Sequence, residues 1–174
     1  MLLYKILSLL LDYPSAELRE NWGEIKGSVA GLGDATEQDK HALRTFISWA
    51  EPLALTAFQA EYVKTFDLNP DNALYLTHHL FEEQDRERGP TLVNLSLYLK
   101  SQGYAIQGGE LPDYLPLLLE YCSTLEDEMG AWLFLKESAH VSEVVAKKLE
   151  NIGSPYALLL RIVERHGRLS AKAA

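Results

Sequence analysis

Leucine decides the architecture of this chain before any motif is found. It occurs 32 times, against 13 valines and isoleucines together. Strands favour β-branched side chains, whereas unbranched leucine loses little rotamer freedom in a helix. The apolar residues also recur at helical spacing. Leu55, Phe58, Tyr62 and Phe66 share one stripe, widened by Val63, and Val141, Val144, Val145, Leu149 and Ile152 share another. A third stripe is Tyr156, Leu159, Leu160 and Val163. The expectation is an all-α, single-domain helical bundle of about seven to nine helices over residues 1–167, with 168–174 as a frayed C-terminal tail.

Punctuation places the helices. Pro14 closes the first, and the next is expected from about Ala16 to Ala30. Thr36-Glu-Gln-Asp39 resembles a capping box and opens a helix to about Ala50. Pro52 stands where a first-turn proline belongs. Asp67-Leu-Asn-Pro-Asp-Asn72 is a turn cluster, Gly89-Pro90 starts a helix that Gly103 stops, and Gly153-Ser154-Pro155 launches the last helix. The apolar opening, Met1 to Leu11, lacks a basic leader and runs into Asp12-Tyr13-Pro14, so it reads as a packed first helix and not as a signal peptide. No segment reaches the roughly 18 apolar residues of a membrane span. A cytoplasmic location is expected, and the lone Cys122 allows no internal disulfide.

Charge excludes some partners. With 16 basic and 25 acidic residues the net charge is −9, which repels nucleic-acid backbones and anionic membranes. Six acids and no Lys or Arg lie between Ser101 and Leu135, namely Glu110, Asp113, Glu120, Glu126, Asp127 and Glu128. Such a run is either a solvated face or a surface that attracts a cation.

Catalytic constellations are missing. His78-His79-Leu-Phe-Glu82-Glu83 lacks the second ligand histidine of an inverted zinc-protease helix, and adjacent histidines point about 100° apart on a helix. Glu137-Ser-Ala-His140 is one Glu-x-x-His pair where a di-iron bundle needs two. Cys122 lies in an apolar, acid-flanked stretch that disfavours a thiolate. No metal, no bound cofactor and no enzymatic activity are expected.

The middle of the chain is dense instead. Glu61-Tyr-Val-Lys-Thr-Phe-Asp67, Leu74-Tyr-Leu-Thr-His-His-Leu-Phe81, Asp85-Arg-Glu-Arg-Gly-Pro90 and Glu110-Leu-Pro-Asp-Tyr-Leu-Pro116 put aromatics, histidines and charges at helix ends. Helix ends and loops of this kind build ligand grooves. Tyr62 and Phe66 also fit a core stripe, and Asp67 and Asp113 also fit helix caps. Arg86 and Arg88 have Asp85 and Glu87 as near neighbours.

Taken in order, those runs closely resemble the NarJ family of respiratory nitrate reductase assembly chaperones (delta subunits), within the TorD/DmsD group of molybdoenzyme maturation chaperones. The Leu-Leu-Asp-Tyr-Pro14 opening and Gly153-Ser-Pro-Tyr-Ala157 match too. Pro112-Asp-Tyr114 stands where the wider group has Pro-x-Asp-His, and the chain ends at Ala174, short of the polar extension many members carry. The resemblance implies a TorD-like helical chaperone, itself without cofactor. It would bind the apo catalytic (alpha) subunit and its N-terminal signal-like peptide, with cofactor-biosynthesis proteins as further partners, and promote molybdenum cofactor insertion before membrane docking. A sibling chaperone for a dimethyl sulfoxide or selenate reductase, and a generic helical adaptor, are the alternatives. On this reading Tyr62, Phe66, Leu111 and Tyr114 line or support an apolar groove. Asp67, Glu110 and Asp113 meet the client's positive charges, with His78 and His79 at the rim and Asp85, Arg86 and Arg88 beside it. Histidine titrates near 6.5 in water, so affinity is expected to vary with pH.

Overall fold

In the computed structural model, which describes residues 1–81, 85–106, 108–126 and 128–169, the chain is a bundle of ten α-helical segments. They are α1 Leu2–Leu11, α2 Ala16–Glu20, α3 Trp22–Ala30, α4 Glu37–Ala50, α5 Leu55–Tyr62, α6 Leu76–Leu80, α7 Arg88–Ser101, α8 Leu115–Thr124, α9 Glu128–Asn151 and α10 Tyr156–Leu169. Eight are seven residues or longer, which is the expected number, and the short α2 and α6 account for the rest. Among the described residues there is no strand, only an isolated antiparallel bridge between Tyr75 and Tyr114. Of the tail expected from residue 168, Arg168 and Leu169 continue α10, and 170–174 lie outside the described residues, as do Glu82 and Glu83.

Local chemistry fixes two of the helix starts. Ser15 accepts the amide of Leu18 to cap α2, and Thr36 with Asp39 forms a complete capping box on α4. Two boundaries differ from the sequence reading. The helix expected over 16–30 breaks at Asn21, whose side chain donates to Glu17 O at 2.9 Å and so competes for a carbonyl at the end of α2. Pro52 does not open α5. It sits in the turn that closes α4, where its missing N–H costs no bond, and α5 begins only at Leu55 after an extended Ala54.

Packing follows the leucine stripes. Leu3, Leu7, Leu10 and Leu11 of α1 are wholly buried, and α1 lies along α8, which contributes Leu115, Leu118, Leu119 and Cys122. Each such leucine contributes about 1.5–3 kcal/mol by leaving water. α10 packs along α9 and also contacts α4 and α1. Tyr156, at its start, is surrounded by rings from α4 and from the turn that follows α5: Phe46 at 5.1 Å, Trp49 at 5.8 Å and Phe66 at 4.9 Å between centroids. No described helix is long and apolar enough to cross a membrane.

The buried thiol gives a simple test of this core. Cys122 is fully buried, and burial pushes its pKa up to about 12. A thiol reagent at pH 8 should leave it unmodified in the native protein and react with it completely once the chain is unfolded in denaturant.

Candidate functional site

The bundle is notched where α5 ends. Val63–Asp67 continues α5 as a turn of π-helix, closed by Leu68 N–H donating to Val63 O at 2.9 Å. Tyr62 and Phe66 stay in ring contact, 5.0 Å apart, and both remain packed on Tyr156, while Asp67 comes out exposed at the end of the turn. Two further segments then cross. Leu76 N–H donates to Asp113 O at 3.1 Å and Leu115 N–H to Leu74 O at 2.8 Å. These bonds flank Tyr75 and Tyr114, whose rings lie on the same side, 5.2 Å apart.

That side is a cleft of about 460 Å³. Of the twelve residues nominated from sequence, six line it: Tyr62, Phe66, Asp67, His78, Glu110 and Tyr114. Six that were not nominated also line it, Asp12, Tyr13, Pro70, Ala73, Leu74 and Tyr75. Asp12-Tyr13-Pro14 was legible only as the stop of the first helix. Its nearness to Tyr114, 102 residues away, is a product of α1 lying on α8.

The polar groups of the cleft form two short chains. Tyr114 donates to Asp12 Oδ1 at 3.0 Å, so Tyr62, with its hydroxyl 2.7 Å away, donates to Tyr114. Tyr75 donates to Glu110 Oε1 at 3.0 Å. Burial, reinforced by Glu110, pushes the Tyr75 hydroxyl up to about 12, and burial raises Tyr62 and Tyr114 further still. These phenols are therefore fixed hydrogen-bond donors and not acids at neutral pH. Partial desolvation at the cleft wall also raises the Asp67 carboxyl above its ordinary value, although the residue is exposed. Three carboxyl groups thus face one cleft that no Lys or Arg among the described residues lines, among aromatic faces that themselves attract cations.

The other six nominated residues go elsewhere. Asp113 was expected to meet charge at a rim, but it is 1% exposed. Its Oδ2 accepts Thr77 N–H at 2.9 Å and Thr77 Oγ1–H at 2.6 Å, so it caps α6 from another part of the chain. The alternation at the crossing is the reason: Tyr114 faces the cleft, so its neighbour Asp113 faces away. Arg88 joins this cluster, its Nε donating to Thr77 Oγ1 at 3.1 Å. His79 turns from the cleft to Ala73 O at 2.7 Å, and burial holds its imidazole below the ordinary histidine value. Asp85 accepts Glu87 N–H at 2.9 Å in an exposed turn with Arg86, and Leu111 is exposed outside the cleft.

Asp12, Glu110 and Tyr114 also line a second opening of about 680 Å³, where Lys5 pairs with Glu120 at 2.5 Å. No group of three or more His, Cys, Asp or Glu among the described residues is placed to hold a metal ion, and His140 of the Glu-x-x-His pair is exposed.

Comparison with known proteins gives a consistent result. A model of the family described as "Nitrate reductase delta subunit" matches residues 30–160. The chain is 35% identical over 162 residues to the probable nitrate reductase molybdenum cofactor assembly chaperone NarJ of Bacillus subtilis strain 168, covering 92% of this chain and 85% of that protein. It is 32% identical over 158 residues to the nitrate reductase molybdenum cofactor assembly chaperone NarJ of Escherichia coli K12, covering 91% of this chain and 66% of that protein. Similarity at 28% identity also reaches the nitrate reductase-like protein NarX of Mycobacterium tuberculosis H37Rv, where this chain spans 24% of the length.

Proposed function

The chain belongs to the nitrate reductase delta subunit family, and we propose from that premise that it is an assembly chaperone for the molybdenum-containing catalytic subunit of a nitrate reductase. On this reading it is a binder and not a catalyst, acts in the cytoplasm, and carries no cofactor of its own. It holds the apo-subunit through its N-terminal signal-like peptide while cofactor-biosynthesis proteins deliver the molybdenum cofactor.

The observation that carries the proposal is the cleft at the Tyr75–Tyr114 bridge. Asp12, Asp67 and Glu110 face it with four tyrosines and His78, and no Lys or Arg among the described residues lines it. A peptide with arginine or lysine between apolar residues fits such a surface, its cations against carboxylates and ring faces. Micromolar affinity requires only about 8 kcal/mol, within reach of a short segment with a few anchors.

Calorimetric titration with the N-terminal peptide of the nitrate reductase catalytic subunit from the same genome tests this. Saturable binding that weakens between 50 and 500 mM salt is expected (both concentrations chosen to straddle a Debye length of about 10 Å). Asp67→Asn with Glu110→Gln should weaken binding by about threefold to tenfold and flatten the salt dependence. Binding that is insensitive to salt and to both substitutions would remove the cleft from the proposal. Failure of the purified chain to capture either the peptide or the whole apo-subunit would remove the client.

A further inference from the structure

The π-turn that brings Phe66 and Asp67 to the tyrosine-lined cleft brings Lys64 and Thr65 to another cavity, of about 590 Å³. That volume is in the range of small-molecule sites. Trp49, Leu53, Ile152 and Pro155 supply its apolar wall. The Trp49 ring is held against Phe46, Phe58 and Tyr156, so the aromatic core fixes this wall. Ile152 continues the apolar stripe of α9 by sequence, yet it is 66% exposed, just beyond the helix end at Asn151.

Acceptors dominate the polar side. Asn72 lines the cavity and is 2% exposed. Its Nδ2 donates to Thr65 O at 2.9 Å, which fixes the amide, since turning it over would set two oxygens against each other. Its Oδ1 is therefore the remaining acceptor, and among the described residues it has no hydrogen-bond partner. A buried acceptor without a donor is costly, and few persist in a folded chain. Glu61 lines the same cavity. Its neighbouring cation, Lys64, is 4.0 Å away, and an ion pair at that distance between largely exposed side chains holds weakly. The chain leaving α9 lines the cavity as well, through Ile152, Gly153 and Ser154, and the C-terminal end of a 24-residue helix favours positive charge.

We propose that this cavity is a binding site for a small organic ammonium ion, separate from the tyrosine-lined cleft. The apolar body of the ligand lies against Trp49, Leu53, Ile152 and Pro155, while its ammonium group donates to Asn72 Oδ1 and pairs with Glu61. An anion does not suit the site, because Asn72 Oδ1, Glu61 and the end of α9 oppose it and Lys64 alone among the lining residues is cationic. A purely apolar molecule would leave Asn72 Oδ1 unpaired. The inference stands on this geometry and not on the assigned client.

The test titrates phenethylamine, protonated at neutral pH, into the full chain, with 2-phenylethanol as its neutral counterpart, and follows both by protein NMR. It is run at about 0.15 M salt, where charges beyond about 8 Å are screened. Saturable shifts are expected at the Trp49 indole N–H, the Ile152 methyl groups and the Asn72 side-chain amide. The amine should bind with a Kd of about 1 mM or tighter, and about tenfold more tightly than the alcohol. Glu61→Gln should weaken the amine by about threefold to tenfold and leave the alcohol unchanged. Ile152→Ser should weaken both by about threefold. Asn72→Leu should remove most of the remaining preference for the amine. If that variant does not fold, the changes at the partly exposed Glu61 and Ile152 still decide. Asp67→Asn with Glu110→Gln alters the tyrosine-lined cleft and should leave the affinity for the amine unchanged. Absence of saturable binding by the parent, or equal binding of amine and alcohol, overturns the proposal. So does binding that the cleft pair loses and Glu61→Gln keeps, which would assign the amine to the cleft. Each of these outcomes leaves the capture of an apo-subunit, and so the function proposed above, to its own test.

Discussion

Replacing Asp39 with alanine should cost about 3–5 kcal/mol of stability, the range found when one member of a buried charge pair is removed. Asp39 is wholly buried. Its carboxylate receives Thr36 N–H at 3.0 Å, the Thr36 hydroxyl at 2.8 Å, the guanidinium of Arg165 and the imidazole of His166 at 3.1 Å. One side chain therefore both caps α4 and ties it to the end of α10. The substitution removes the cap, and it takes from the partly buried Arg165 its carboxylate. For a chain of this length each kcal/mol shifts the melting temperature by about 2–4 °C, so thermal unfolding should move down by roughly 10 °C.

The same group sets an acid limit. Burial alone would raise the Asp39 carboxyl, but the bonds from His166, Arg165 and Thr36 outweigh it and hold the group well below the usual carboxylate range. A depressed folded value means that the unfolded chain binds the proton first. The stabilisation is thus complete above the ordinary value of 3.8 and is lost progressively as the pH falls below it toward the folded value. Urea unfolding at pH 7 and at pH 3 should show the parent losing this contribution while Asp39→Ala changes less. An equal loss in both proteins would assign the acid sensitivity to other carboxylates.

Gly167→Val should have an effect of similar size for a different reason. A Cβ at position 167 would sit 2.7 Å from Ala139 Cβ and in contact with the backbone oxygen of Leu135. Backbone cannot swing aside, so α10 must move off α9 along the longest helix contact of the bundle, and the bond from Trp132 Nε1 to Gly167 O at 3.2 Å is strained with it. Alanine should destabilise by about 1–3 kcal/mol and valine by more. Gly27→Ala is the control. Gly27 is exposed in α3 with nothing within 4 Å of an added Cβ, so alanine there should stabilise by up to about 1 kcal/mol. Opposite signs for two glycine-to-alanine changes in helices, read by denaturant unfolding, are the expected outcome.

These cases separate what was readable in the chain from what was not. The capping box was readable at Thr36 and Asp39 because its partners are three residues apart, but nothing near Asp39 announces Arg165 and His166, more than 120 residues on. The π-turn at Val63–Asp67 carries no sequence signal, yet it brings Asp67 out at the cleft while Phe66 stays in the core. Pro52 was read as opening a helix and instead closes one, since a proline without an N–H suits either place. At Pro112-Asp-Tyr114 the crossing with residues 74–76 divides the nominated residues between two surfaces, Tyr114 at the cleft and Asp113 on the reverse side.

Sequence by itself determined the helical class, the core stripes apart from Ile152, which is 66% exposed, several helix boundaries and the family, because each depends on residues within a few turns of one another or on the order of whole runs. Tertiary structure alone decided which charges meet. Asp12 reaches the cleft only because α1 packs along α8, and Asp113 is buried only because one short crossing turns its side chain away from Tyr114. Charge–charge and hydrogen-bond partnerships act over a few ångströms in space, and separation along a chain carries no information about that distance until the leucine faces have packed.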